Sequence, residues 1–357
     1  MSDFDNLATE VNDGILGRNS GIPMGFTRLN NYISIRKSNI YLLGGYTGSG
    51  KTSLLDDAFV LNPVDYLLKN RERENIDLQI IYWSMERRKN FKLAKWISRR
   101  IFLDHGIIIP VNRMMGWCNR EQRLTPDEHD LFLLHREYIE AIQSVVTIFD
   151  GPENPTGIRN YIKKMCLEQG KVEDVDEYHK VYLPDKPNKI ILNIKDHIGL
   201  HKKEKMLTTK KEIIDKGSED DRYNRDFFGV STVALSQFNR DIANPMRIKN
   251  GDVEPMLEDF KDSGSTQEDA DIVLSLFDPM RYKVPDPSGY QLDKLKDSMG
   301  RKKYRSLKIL KNSYGSDDVR IGLAFQPEIG MFKEMPKLND TTDIDYERII
   351  DNQYFLS

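Results

Sequence analysis

The sequence predicts an α/β fold in which a mostly parallel, twisted sheet is flanked by helices and ends in an antiparallel edge. Three observations predict it: a phosphate-binding motif between a strand pattern and a helix pattern, an alternation of apolar strands with longer helical stretches, and two closely spaced strand patterns late in the chain. Strands separated by helices pair in parallel and place helices on both faces of the sheet.

The phosphate-binding motif spans residues 45–52 and fits G-x-x-x-x-G-K-[ST] without a mismatch. An apolar strand pattern at 39–43 precedes it and a helix pattern follows. The helix start then presents free N–H groups and partial positive charge to phosphates. Lys51 would reach the β- and γ-phosphates of a nucleoside triphosphate, and the Thr52 hydroxyl would bind Mg²⁺. The predicted nucleotide-binding residues are Gly45, Tyr46, Thr47, Gly48, Ser49, Gly50, Lys51, Thr52 and Ser53.

The composition indicates a soluble globular protein: of 357 residues, 39% are hydrophobic and 31% are charged. No apolar run approaches the roughly 20 residues of a membrane span, and no signal segment opens the chain. We therefore expect no membrane partner and a cytoplasmic location. Cys118 and Cys166 form no metal or redox motif and are expected to be reduced. A net charge of −3 gives no global sign of nucleic-acid binding, so such a role needs a local cluster.

The remaining elements follow in a regular order. Strand patterns lie at 78–84, 145–149, 189–194, 231–236, 272–277, 306–311 and 319–325, and helix patterns lie at 88–103, 126–143, 156–168 and 208–227. The last two strands are close enough in sequence to form an antiparallel hairpin at one edge.

Three segments stand outside this rhythm. Phe4, Leu7, Val11 and Ile15 recur at spacings of three and four, so residues 1–20 are predicted to form an amphipathic linker helix that must dock somewhere. The stretch 240–266 has no strand pattern, and a long loop in a compact domain is usually functional. The acidic stretch 339–351 is predicted to be a solvated extension. We therefore divide the chain into a linker at 1–20, a motor domain at 21–335 and an acidic tail at 336–357.

Polar residues end three of the predicted strands. Asp196 is a candidate metal ligand at the tip of an apolar strand, and Glu86 could polarise the attacking water from the end of another. Ligands of parallel sheets sit beyond the carboxyl ends of the strands, so these side chains could converge on one triphosphate. Gln237, at the third strand end, could sense the γ-phosphate. Local sequence alone is also compatible with capping or solvated roles for all three.

Several motifs, in order, resemble those of the DnaB-type replicative helicases. They are Gly21-Ile22-Pro23-Met24-Gly25-Phe26-Thr27-Arg28-Leu29, Ser84-Met85-Glu86, Asp196-His197-Ile198-Gly199-Leu200, Leu235-Ser236-Gln237-Phe238-Asn239-Arg240 and the stretch 259–271. The resemblance covers most of residues 20–335. It implies a RecA-like motor core that binds ATP and Mg²⁺ between the subunits of a ring, usually a hexamer. It also implies single-stranded DNA in the centre, 5′→3′ movement, duplex unwinding in replication, and a primase or a helicase loader as a candidate partner. A phage or another mobile element is the expected source, which would place the protein in the host cytoplasm.

In that family, loops that include the stretch after Gln237 hold the DNA. This chain offers side chains there that suit phosphate contacts without sequence readout. The candidate DNA-binding residues are Arg240, Arg247, Lys249, Asn250 and Gly251. A solvated basic loop is the alternative interpretation. Stacking aromatics are sparse, so backbone tracking is favoured over base stacking.

The chain departs from the family at its start and on a late strand. Only about twenty residues precede the motor, so we expect the family's amino-terminal helical domain and any primase module to be absent. The family's Lys-x-Arg pair, projected into the neighbour's site, reads Lys311-Asn312-Ser313 here. Loss of such an arginine can cost on the order of 10³-fold in turnover. Either Arg320 or Arg305 substitutes for it, or the motor is slow, or it depends on a partner. Our hypothesis is that Lys311 is catalytic in trans with help from a nearby arginine.

These departures leave two alternatives to a helicase. One is an ATP-gated clamp or filament on single-stranded DNA, with slow hydrolysis and no unwinding. The other is a scaffold that uses ATP only to order its subunits.

Overall fold

The computed structural model describes residues 3–17, 19–70, 75–239, 244–261 and 264–356. Its strands are β1 (Ile40–Gly45), β2 (Asp77–Ser84), β3 (Val146–Asp150), β4 (Gly170–Asp174), β5 (Lys180–Pro184), β6 (Lys189–Asp196), β7 (Ser231–Gln237), β8 (Ile272–Phe277), β9 (Tyr304–Asn312), β10 (Arg320–Gln326) and β11 (Met331–Glu334). All strands except the separate β4–β5 hairpin form one nine-stranded sheet in the order β11-β10-β9-β8-β1-β7-β6-β2-β3.

Helices cover both faces of this sheet and extend from its edges. They are α1 (Asp3–Ile15), α2 (Thr27–Asn30), α3 (Lys51–Asp56), α4 (Asn62–Lys69), α5 (Lys89–His105), α6 (Val111–Met114), α7 (Pro126–Leu134), α8 (Arg136–Val145), α9 (Pro155–Leu167), α10 (Lys210–Phe228), α11 (Pro245–Asn250), α12 (Gly264–Asp269), α13 (Pro279–Tyr282), α14 (Asp343–Ile350) and α15 (Gln353–Leu356). A π-helical turn, Asp57–Leu61, joins α3 to α4. In the part of the chain described, no helix combines the length and apolarity that crossing a membrane requires.

The predicted parallel core is confirmed. β8, β1, β7, β6, β2 and β3 pair in parallel, whereas β9, β10 and β11 add an antiparallel edge. All six residues of β1 are buried because the strand lies between β7 and β8 and has helices on both faces. Its odd-numbered residues Tyr41 and Leu43 pack in one core cluster, and its even-numbered residues Ile40 and Leu42 pack in another. This alternation follows from the two-residue period of a strand.

The acidic C-terminal stretch is not a solvated extension, so that prediction is wrong. α14 and α15 bury Tyr346, Ile349, Tyr354 and Phe355 in a core cluster that also contains Phe102. The apolar residues that carry this packing are few and lie among aspartates and glutamates, and the overall acidity concealed them. Whether the whole segment 336–357 is a separate unit stays a prediction.

Three further elements differ from the sequence prediction. The helix predicted at 126–143 is two helices that meet at His135. Neither the β4–β5 hairpin nor β11 was predicted, and only four residues form β11. The predicted N-terminal helix is present as α1. Its Phe4, Leu7, Val11 and Ile15 remain 55–79% exposed, so α1 does not bury its apolar stripe on this chain.

Candidate nucleotide-binding site

The phosphate loop connects β1 to α3 at the carboxyl edge of the sheet. Gly50 is the residue before α3 and has a φ of 99°, which a residue with a side chain adopts at a cost. A Cβ on Gly45 would lie 2.9 Å from the carbonyl oxygen of Leu276 on β8. The glycines therefore allow both the turn and its close approach to the neighbouring strand.

Lys51 is buried at the first position of α3. Its Nζ donates a hydrogen bond to the carbonyl oxygen of Tyr46, 2.8 Å away. Burial lowers the pKa of Lys51 to about 8, although the charges of Glu86 and Asp196 act in the opposite direction. The ammonium group thus lies inside the loop, near two carboxylates.

Thr52 and Asp196 meet although 144 residues separate them in sequence. The Thr52 hydroxyl donates to Asp196 Oδ1 at 3.1 Å. Asp196 is the last residue of β6, so the order of the sheet brings it to the edge at which β1 ends. Hydroxyl and carboxylate oxygens are ligands that Mg²⁺ accepts. This pair therefore fits the magnesium site predicted from the sequence.

Asp196 is anchored from behind by Lys92 of α5. Lys92 Nζ lies 3.0 Å from Asp196 Oδ2 and 3.3 Å from Asp56 Oδ1, and the Tyr82 hydroxyl contacts all three groups. Burial acts to raise the pKa of Asp196, but the charge and hydrogen bond of Lys92, with those of Thr52 and Tyr82, hold it below its usual value. The carboxylate is therefore kept ionised and oriented.

Two more predicted residues end strands at this edge. Ser84 of β2 is paired in register with Asp196, and Glu86 follows two residues later with an exposed side chain. Gln237 of β7 is paired in register with Gly45, and its side-chain nitrogen lies 3.4 Å from Nε2 of His197. The site therefore contains the carboxylates and the amide that the sequence predicted at the strand ends.

His197 is uncharged at neutral pH. Its burial, together with the charge of Lys51, lowers its pKa to about 4, against the opposing effect of Asp196. Ser53, predicted to bind nucleotide, is buried and accepts a hydrogen bond from Lys95 Nζ at 2.5 Å. The Ser53 side chain is thus committed to α5.

Arg305 and Arg320 differ in their positions. Arg305 is 5% exposed, and its Nε donates to the carbonyl oxygen of Ser49 in the phosphate loop of the same chain. This contact places Arg305 beside the phosphate loop of its own chain, and a role in trans for Arg305 or Arg320 stays a prediction. Arg320, at the start of β10, pairs with Glu254 through Nε at 2.6 Å and Nη2 at 2.8 Å, and with Asp318 at 3.3 Å.

Lys311 also has partners within the chain. Its Nζ donates to the carbonyl oxygens of Gln267 and Glu268 in α12, at 3.1 Å and 2.9 Å. Ser313 donates its backbone N–H to the carbonyl oxygen of Asp271 at 2.9 Å. The end of β9 is therefore held against the start of β8, with no arginine at position 313.

The predicted DNA-binding residues lie in the segment between β7 and β8. Arg240 falls outside the described residues. Lys249 and Asn250 are exposed at the end of α11, and Gly251 ends that helix with a φ of 78°. Arg247 instead donates to the carbonyl oxygen of Asp252 at 2.8 Å and to Asp259 Oδ2 at 3.1 Å. The loop thus exposes the side chains of Lys249 and Asn250, whereas Arg247 links two parts of the loop to each other.

Sequence reasoning missed Lys92 and Tyr82, and it did not place Arg305 beside the phosphate loop of its own chain. Lys92, Lys95 and Arg99 recur at spacings of three and four along α5. Lys92 contacts Asp56 of α3 and Asp196 of β6, whereas Lys95 contacts Ser53 of α3 and Arg99 contacts Asp57, the residue after α3. That periodicity of basic residues was visible, but nothing in the sequence identified the acidic face opposite it.

Comparison with known proteins identifies the relatives of this chain. Residues 171–334 match the model of the DnaB-like helicase C-terminal domain. A probable replicative DNA helicase of Trieres chinensis is 26% identical over 280 residues, which cover 77% of this chain and 51% of the relative. The replicative DNA helicase DnaB of Helicobacter pylori is 25% identical over 280 residues, which cover 78% and 47%. The chain spans about half the length of these relatives.

Solved structures show the same fold. A DnaB-like replicative helicase, described with its interactions with primase, superposes with a TM-score of 0.67 at 19% identity over 94% of this chain and 67% of the other. An ATPase domain superposes with a TM-score of 0.66 at 20% identity over 94% of this chain and all of the other. The predicted RecA-like α/β fold with an antiparallel edge is confirmed.

Proposed function

Since this chain is homologous to the DnaB-type replicative DNA helicases, we propose that it is an ATP-driven, ring-forming translocase. It moves on single-stranded DNA and separates duplex DNA during replication. The observation that carries the proposal is the contact between Thr52 and Asp196, which joins the phosphate loop to the metal carboxylate from a distant strand. The convergence of Lys51, Glu86 and Gln237 on the same edge supports hydrolysis at this site.

Each of these side chains has a separate task in the proposed reaction. ATP with Mg²⁺ supplies a terminal phosphoryl group whose transfer to water releases free energy. Lys51 binds its oxygens, Thr52 and Asp196 hold the metal, and Lys92 keeps Asp196 ionised. Glu86, being exposed near Lys51, orients and deprotonates the attacking water.

Movement requires that hydrolysis be coupled to the DNA. Gln237 senses the γ-phosphate at the end of β7, and the segment that starts there carries the DNA contacts. Lys249, Asn250 and Gly251 contact the phosphates of one strand, with Arg247 and Arg240 contributing beside them. Such contacts track the backbone without reading sequence.

The ring, preferably a hexamer, assembles by docking the exposed apolar stripe of α1 on the next subunit. Lys311 then enters the neighbour's nucleotide site, and Arg320 is the arginine available to help it. We propose 5′→3′ movement and a primase or a loader as partner. The DnaB-like structural neighbour described with primase supports the first of these partners. A cytoplasmic place of action follows from this role.

Two assays on the purified chain test the proposal. Hydrolysis of ATP is expected to rise several-fold with single-stranded DNA, and a forked duplex with a free 5′ tail is expected to separate only when ATP is present. The Asp196→Asn variant is the control and is expected to do neither. Hydrolysis that DNA does not stimulate, without strand separation, would contradict the proposal.

A second candidate function is an ATP-gated clamp on single-stranded DNA. Lys311 is engaged by the carbonyl oxygens of α12 and position 313 lacks an arginine, so a neighbour's site could remain without a trans cation. Tight ATP-dependent DNA binding by an assembly that leaves the fork intact would favour this function over the helicase.

A further inference from the structure

Three carbonyl oxygens of the phosphate loop each accept a hydrogen bond from a basic side chain. Tyr46 O accepts from Lys51 Nζ at 2.8 Å, Thr47 O from Arg281 Nη1 at 2.6 Å and Ser49 O from Arg305 Nε at 2.7 Å. Lys51 belongs to the loop motif itself. The two arginines come from α13 and β9, more than 230 residues later in the chain.

One carboxylate connects the two arginines. Asp278, 7% exposed, follows β8 and caps α13, because its Oδ1 accepts a hydrogen bond from the backbone N–H of Arg281 at 3.1 Å. Its Oδ2 lies 3.6 Å from Arg305 Nη1. Arg305 is fixed further by a hydrogen bond to the carbonyl oxygen of Tyr304 at 2.6 Å and lies over the ring of Phe325. We call Asp278, Arg281 and Arg305 the arginine bracket.

We propose that the arginine bracket holds the phosphate loop in its binding conformation and thereby sets the affinity for the nucleotide. A phosphate loop binds oxygens through backbone N–H groups that face inward, which requires that the intervening carbonyl groups face outward. The carbonyl oxygen of Ser49, a buried residue, is removed from water and needs a donor. Thr47 is exposed, and the hydrogen bond from Arg281 fixes the direction of its carbonyl group. The bracket supplies those donors to Thr47 and Ser49, so that less ordering remains to be done when the phosphates bind.

Arg281 and Arg305 are therefore positioning residues: they act on the phosphates through the loop. The inference rests on the proposed function, because it takes the loop to bind a nucleoside triphosphate. The alternative is that the arginines attract the nucleotide only through their positive field. That alternative makes different predictions for charge-conserving variants and for salt, because a field effect survives Arg→Lys and is screened by ions.

Arg301 provides a matched control, because it lines the same surface cleft as Gly48, Arg281 and Arg305. It lies near Arg305 and Gly48 in the lining of this cleft, but it pairs with Asp297 and Glu328, both at 2.6 Å. It has no described hydrogen bond to the phosphate loop. Substitution of Arg301 thus removes a positive charge from the cleft without removing a donor from the loop.

The experiment measures the affinity of the full chain for a fluorescent ADP with Mg²⁺ at low and high salt. Three variants, Arg305→Met, Arg305→Lys and Arg281→Met, are expected to bind the fluorescent ADP several-fold to about tenfold more weakly than the wild type. This is the range expected for the loss of one hydrogen bond from a charged donor. The losses should persist at high salt, and Arg301→Met should bind like the wild type. Turnover at saturating ATP should change much less than KM.

Hydrogen exchange of the nucleotide-free proteins gives a readout that does not depend on binding. Amides 46–50 should exchange faster in Arg281→Met and Arg305→Lys than in the wild type and in Arg301→Met. Arg305 is buried and its variants could fail to fold, so the surface variant Arg281→Met decides in that case. Unchanged exchange and affinity in Arg281→Met, or losses that Arg→Lys restores and salt removes, would overturn the bracket. Failure of the wild type to bind ADP would instead overturn the proposed function.

Discussion

The nucleotide edge, which is the carboxyl edge of the sheet with the phosphate loop, differs from the segment between β7 and β10 in how its charged groups are buried and paired. At the nucleotide edge, where β1, β2, β6 and β7 end, the charged groups other than Glu86 are buried and held in contact with one another: Thr52 contacts Asp196, and Lys92 lies behind it. Between β7 and β10, three of the charged groups proposed to act on DNA or on a neighbour are partly exposed and engaged within the chain, whereas Lys249 is exposed. Arg247 binds Asp259, and Arg320 binds Glu254.

This difference separates what one chain can do from what an assembly must do. At the nucleotide edge, Thr52, Asp196 and Lys92 are held by contacts within the chain, so we expect binding to cost little rearrangement. Arg320 and Lys311 must exchange internal partners for external ones before they can act on a neighbour. Nucleotide binding should therefore be a property of the single chain, and rapid hydrolysis a property of the ring.

The largest effect is expected from Glu86→Gln, which tests the nucleotide edge itself. Loss of the proposed general base should reduce ATP turnover by about 10³-fold, within the range for such groups. ADP affinity should change little, because no hydrogen bond or ion pair between described residues joins Glu86 to Thr52 or Asp196. Phosphate release measures the first quantity and fluorescence titration the second. Glu137→Gln, an exposed carboxylate on α8, is the control, and equal turnover in the two variants would contradict the role of Glu86.

The Lys92→Met substitution removes the buried cation that pairs with Asp56 and Asp196 at the nucleotide edge. Removal of one member of a buried charge cluster leaves Asp56 and Asp196 without their cation and should lower the free energy of unfolding by about 3 kcal/mol or more. Urea denaturation measures it. Arg136→Met, which breaks the exposed pair with Glu140, should be nearly neutral. Similar denaturation midpoints for the two variants would show that the edge is not held together in this way.

The pH dependence of nucleotide affinity sharpens the account of Lys51. Burial lowers the pKa of Lys51 to about 8, so the ammonium group is present below that pH and lost above it. ADP affinity should be constant below about pH 8 and fall by up to tenfold per pH unit above it. Lys51→Arg retains its charge and should show no such decline. A decline that persists in Lys51→Arg would assign the titration to another group.

The smallest effect is expected in the loop. Lys249→Ala should weaken single-stranded DNA binding about threefold and reduce the slope of log affinity against log salt by about 0.7, the value for one lost phosphate contact. Lys163→Ala, an exposed lysine on α9, is the control. Anisotropy titrations at several salt concentrations measure both. An unchanged slope in Lys249→Ala would contradict the proposed contact between Lys249 and a DNA phosphate.

The same contrast explains what could be predicted from the sequence. The phosphate loop and the strand ends at Glu86, Asp196 and Gln237 were found because a local motif and a strand period place them. The contact of Arg305 with the phosphate loop was not predicted because its partner Ser49 lies 256 residues away, and only the pairing order of β9, β8 and β1 brings them together. Lys92 was missed for the same reason.

The prediction for the C-terminal tail was wrong for a different reason. α14 is stabilised by two buried residues, Tyr346 and Ile349, among mostly polar neighbours, so composition averaged over the segment indicated solvent exposure. The pairing of Arg247 with Asp259 was also invisible, since a basic residue in a loop has the same local pattern whether it is free or paired. Local propensity carries no information about which opposite charge the fold provides.

The most direct test measures ATP turnover per chain and ADP affinity across a range of protein concentrations, with assembly followed by mass photometry. We predict that ADP affinity is the same for single chains and for assemblies, whereas turnover per chain rises as rings form. Constant turnover per chain down to concentrations at which only single chains are present would contradict the division between a self-contained nucleotide edge and a neighbour-dependent reaction.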